Sequence, residues 1–126
     1  MYLRFSTKQW DSESTRNLGI LVVAHELRDN GDLSKDEHRI LRKLLKWFND
    51  QLAIPRLLRE NEHRRAISWF KPEAKEAIRR MWELSELLKQ HGVEVEVHKT
   101  KDPGVVIYED GWQVVAKPTK GRIVPW

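Results

Sequence analysis

The sequence predicts an α+β fold, β-α-α-α-β-β-β in order, with an antiparallel C-terminal meander and the helices packed on one face of the sheet. Three observations carry that reading. Apolar residues recur with a period near 3.6 between Leu18 and Leu88, the spacing of amphipathic helices. After Gly92 the period drops to two, with Val93, Val95 and Val97 alternating against Glu94, Glu96 and His98. A length of 126 residues suits one domain with one core, which helices and strands must share.

Residues 1–7, MYLRFST, set Leu3 and Phe5 on one side and Tyr2 and Arg4 on the other, which predicts a strand. The polar run KQWDSES follows as a turn-rich connection. Residues 14–55 read as a helical hairpin. In its first arm Leu18, Leu21 and Val22 mark one helical row, and Ile20, Val23, Ala24 and Leu27 the adjacent one. Val22-Val23 leaves a strand open, but the length of the segment and a stop at Gly31 favour a helix. The second arm opens on Ser34 and Glu37, the spacing of a capping box in which each side chain satisfies an orphaned amide. Leu41, Leu44, Leu45, Phe48 and Leu52 then share a face, with Arg42, Lys43 and Lys46 opposite. Pro55 ends it.

A basic connection spans 56–71, and a third helix spans 72–91, with Pro72 in its first turn and Gly92 as its stop. Its inner side is read as Ala74, Ala77, Ile78, Met81, Trp82, Leu84, Ser85 and Leu88. Residues 93–118 form the meander, turning first at KDPG and then at Asp110-Gly111, the dipeptide suited to a two-residue hairpin loop. That loop would set Glu109 opposite Trp112, Ile107 opposite Val114 and Val106 opposite Val115. A cationic tail, 119–126, closes the chain.

Composition excludes several kinds of chemistry. There is no cysteine, so disulfides, thiolate metal sites and cysteine nucleophiles are out. No GxxxxGK or GxGxxG phosphate loop is present. The crowded acids of DNGDLSKDE lack the ligand spacing of a calcium loop and read as a solvated turn between helices. His25-Glu26 has no second histidine at the spacing of a helical zinc motif, and His63, His91 and His98 are read as surface or helix-end groups rather than ligands. Glu109-Asp110 sits at a hairpin tip, where water should leave both pKa values untuned. No catalytic, metal or cofactor residues are therefore assigned. A helix-plus-meander ribonuclease is a minor alternative, with His98, Lys99 and Tyr108 as its only acid-base groups.

The stretch NEHRRAISWFKPEAKEAIRR holds the strongest charge pattern. Arg64, Arg65, Lys71, Lys75 and Arg79 would line a phosphate-binding strip if they share a face, with Trp69 as a stacking platform. Against that stands a structural role: Trp69 and Phe70 precede a helix start and serve to pin it to the core. Glu76 and Arg80 need only an intrahelical ion pair. Taken as a whole, ISWFKPEA, MWELSELLKQHGVEVEV and PGVVIYEDGWQVVAKP resemble a group of small uncharacterised bacterial proteins. These share a WFK segment, a helix ending in HG and a closing YEDxxQVVAxP strand pair. The resemblance spans nearly the whole chain, implies one natural domain, and transfers no activity.

The functional expectation is a non-enzymatic binding or regulatory module acting through a protein partner or self-association. Its basis is the second hairpin, which carries apolar groups on both faces, so that one face needs a cover; Val106, Tyr108, Gln113 and Val115 are the candidate interface. Nucleic-acid binding through segment 56–80 is the alternative, permitted by a net charge of +4. No apolar run is long enough for a membrane helix and no leader pattern opens the chain, which makes a cytoplasmic location the default.

Overall fold

Three helices lie against one face of a six-stranded antiparallel sheet in the computed structural model, which describes residues 1–11, 16–51 and 66–118. The α+β class is as the sequence indicates, and the last three strands follow one another along the chain. In order the elements are β1 (Tyr2–Asp11), β2 (Arg16–Gly19), α1 (Ile20–Asn30), α2 (Lys35–Gln51), β3 (Ile67–Phe70), α3 (Lys75–Gln90), β4 (Val95–Thr100), β5 (Val105–Glu109) and β6 (Gln113–Lys117).

Two short strands join those expected. β1 runs on through the segment read as a turn and pairs with β2, Asp11 opposite Arg16 and Ser6 opposite Gly19. Chain that was read as the first turns of a helix is thus strand, and α1 begins only at Ile20, where extended Gly19 lets β2 run directly into it. β3 is ISWF, four residues bonded to β6 from Ile67–Ala116 to Phe70–Gln113 and to β1 at Leu3–Phe70. So the aromatic pair lies in a strand and not at a helix entry. α3 starts at Lys75, three residues after Pro72, which lies in a turn.

The register also separates β4 from its sequence neighbours. β4 pairs with β1 along its whole length, Thr100 opposite Tyr2 to Val95 opposite Thr7, while β5 pairs with β6 and β6 with β3. In a flat sheet β4 and β5 would lie four strand spacings apart, about 19 Å, with Val105 displaced further along the strand direction. The five steps from Thr100 to Val105 reach at most about 18 Å. The sheet is therefore curled, its β4 and β5 edges drawn toward each other.

Packing follows the helical periods. α2 buries Leu41, Leu44, Leu45 and Phe48 as expected; Leu52 lies outside the described residues. α1 buries Ile20, Val23 and Ala24 and leaves Val22 exposed, so the second of its two rows is the inner one. α3 buries Ala77, Met81, Leu84, Ser85, Leu87 and Leu88; Trp82 is half-exposed with its ring edge-on to Phe5 at 5.1 Å. Ile20 and Ala24 of α1, the four α2 residues, and Ala77, Met81, Leu84, Leu87 and Leu88 of α3 meet Phe5 and Phe70 in one core. A second, smaller cluster of Ile67, Trp69 and Val114 with Tyr2 lies on the face opposite the helices.

Candidate functional site

The β5–β6 hairpin is the element on which the functional expectation rests, and its tip differs from the expected one. Asp110 N–H donates to the Gln113 carbonyl at 3.0 Å, so Gly111-Trp112 is the loop and Asp110 closes it. The cause is the Asp110 carboxylate. One oxygen accepts the N–H groups of Trp112 and Gln113 at 2.8 and 3.0 Å, a side-chain turn that competes with the Asp-Gly type. The other accepts the Tyr108 hydroxyl at 2.8 Å and the Gln113 amide at 3.3 Å. Burial resists ionisation of Asp110, but the donors from Trp112, Tyr108 and Gln113 outweigh it and hold the carboxyl below its ordinary range. Asp110 is thus electrostatically tuned, contrary to expectation, toward the charged form that serves as a structural acceptor.

The register now sets Glu109 opposite Val114 and Tyr108 opposite Val115; after a bulge at Ile107, Val106 faces Ala116 and Val105 faces Lys117. Val115 and Gln113 are buried, the latter also accepting the Ser68 hydroxyl at 2.6 Å, so neither is available to a partner. Tyr108 is half-buried and committed to Asp110. Of the four expected interface residues only Val106 lies open, and Val105 joins it: the two are 45% and 62% exposed. Alternation puts Val105 on the opposite face from Val106, and the register keeps it there, since the two pair with consecutive Lys117 and Ala116; at this end of β5 both faces are open, which a sequence pattern does not show.

Among the described residues nothing pairs with the outer side of β5. Its charge is low, since Glu109 is met by Lys71 at 2.5 Å. The opposite edge is different. β4 carries Glu96, His98 and Lys99, and Lys8 of β1 reaches Glu94 at 3.2 Å and Glu96 at 3.8 Å. Charged edges of this kind resist further pairing, whereas an exposed Val-Val pair invites it.

Of the basic strip, the described residues are mostly engaged with neighbouring groups. Arg64 and Arg65 lie outside the described residues. Trp69 is 2% exposed and offers no ring face to a base. Lys71 is held by Glu109, which raises its pKa. Arg79 is clamped on α3 between Glu76 and Glu83, at 2.7 and 2.6 Å. Arg80 bonds Glu76 at 2.8 Å and stacks 4.7 Å over Trp47. Among the described strip residues only Lys75 is exposed with no ion pair to another described residue.

Nor do the acid-base groups converge. His98 shares a 2.9 Å hydrogen bond with fully buried Ser6 and lies 3.6 Å from Glu96 through the same ring nitrogen. Lys99, next in the strand, leaves the other face, and Tyr108 is raised in pKa by its bond to Asp110. His91 bonds Glu37 at 2.6 Å, tying the end of α3 to the start of α2, and no cluster of potential metal ligands occurs among the described residues. Compared with protein-family models, curated proteins and solved structures, the chain matches none.

Proposed function

We propose that the protein is a binding module that acts by protein contact, self-associating through the β5 edge. The observation that supports this is the adjacent pair Val105 and Val106, exposed on an edge strand whose one acid is already neutralised. An antiparallel edge strand meets its own copy across a two-fold axis with the same donors and acceptors on both sides, and two-fold dimers are the commonest assembly. The locked tip keeps β5 in place for this: Asp110 holds Tyr108, Trp112 and Gln113, and Gln113 holds Ser68 of β3. The edge is thereby presented at little ordering cost.

Chemical cross-linking with mass-spectrometric mapping tests the geometry. Lys101 and Lys117 flank the start of β5, and linkage between copies at these lysines, lost in Val105→Lys/Val106→Lys, is the expected result. Inter-copy links confined to α2 or α3 would place the contact elsewhere and overturn the reading.

A further inference from the structure

α1 and α2 leave an open groove of about 740 Å³ between them, on a different part of the molecule from β5. Its walls carry Arg28, Lys35, Arg39, Arg42, Lys43 and Lys46, and no carboxylate is among its described lining residues. Positions 35, 39, 42 and 46 follow the helical repeat, so they form one row about 16 Å long on α2. Arg28, Arg39 and Lys46 are each met by a nearby aspartate, at 2.9, 3.1 and 2.7 Å. Lys35, Arg42 and Lys43 are exposed and make no ion pair with a described residue. His25 and His38 complete the walls, and His25 is held below its ordinary pKa by burial and by the Arg28 charge. The groove is a site of positive potential.

We propose that this groove binds the phosphodiester backbone of a nucleic acid. A row of cations matches a ligand with a repeating charge, one phosphate per about 3.4 Å of duplex axis along each strand. No Trp, Tyr or Phe lines the groove among the described residues, and its cations outnumber its two imidazoles, so the contact it offers is to the backbone first. An acidic protein segment would be anchored by apolar or aromatic pockets, but Leu45 is the only apolar lining residue described. A lipid surface would require apolar side chains inserted beside the cations. Val22 and Ile40 are exposed on these helices but do not line the groove.

The test is fluorescence anisotropy with a labelled oligonucleotide, single-stranded and as duplex, across a salt series. The wild-type chain binds, with affinity falling linearly on a log–log plot. Lys35→Ala/Arg42→Ala/Lys43→Ala weakens binding by at least about tenfold at low salt and lowers the salt slope by about two to three. Lys89→Ala/Lys99→Ala/Lys101→Ala removes the same charge from exposed positions elsewhere and leaves affinity within about twofold. Equal loss in both triple variants would reduce the effect to net charge. No binding of either oligonucleotide by the wild type, or binding only to phosphatidylserine vesicles, would equally overturn the proposal.

Discussion

Gly104 and Gly92 show at single positions how this backbone is fixed. Both have positive φ, 107° and 80°. A Cβ on Gly92 would meet nothing within 4 Å, so Gly92→Ala carries only the left-handed strain, about 1 kcal/mol. The Gly92 and Val93 amides bond the Lys89 and Leu88 carbonyls, the glycine-terminated helix end that Gly92 signals in the sequence. At Gly104 a Cβ would also collide with the Lys117 carbonyl oxygen across the β5–β6 pair. Gly104→Ala is expected to cost more than Gly92→Ala, by about 1–3 kcal/mol in urea unfolding, because that neighbour is backbone and cannot swing away. Equal costs would show that the start of β5 relaxes freely.

Caps and strand pairs carry the argument at the scale of the element. The Ser34–Glu37 box is formed in both directions, each amide-to-side-chain distance 3.1 Å. Ser34→Ala should destabilise by about 1 kcal/mol, with Ser34→Gly milder. Glu37 also bonds His91, and that bond together with the Ser34 amide holds its carboxyl below the ordinary 4.5. This contribution is present above 4.5 and is lost as pH falls through the lower folded-state value. His98 acts higher on the scale. Burial, then Arg4, depress its pKa below 6.5 against the pull of Glu96, so below 6.5 the unfolded chain takes the proton more readily and stability falls with pH. Thermal melts of His98→Gln and wild type should therefore converge as pH is lowered from about 7 to 5. Parallel curves would remove His98 from the acid response.

What was legible at this scale was what is encoded locally. The capping box, the α2 stripe and the glycine stop each lie within one element, and each formed. β2 and β3 were not legible because four residues cannot display a period, and ISWF is buried at three of its four positions rather than alternately. The hairpin register was missed for a related reason. Its turn is set by the Asp110 side chain, which overrides the backbone preference of Asp-Gly.

For the whole molecule, the limits of sequence pattern are those of long-range pairing. β4 looks like the first strand of a meander, but its partner, β1, is some 90 residues earlier, and only the pairing shows that the sheet curls. The candidate surfaces divide in the same way. Apolar excess on the second hairpin was visible, while the cationic groove exists only once α1 and α2 are side by side. Both surfaces predict association, but of opposite salt dependence: the apolar β5 contact should tighten or hold as salt rises, and phosphate binding should weaken steeply.

Light scattering coupled to size-exclusion chromatography, over a dilution series of the wild type and of Val105→Lys/Val106→Lys, bears most directly on the β5 contact. The wild type is expected to elute as a dimer that dissociates on dilution, and the doubly substituted chain as a monomer throughout with an unchanged fold. A wild-type monomer at every concentration, or a dimer that survives both lysines, would contradict association through β5.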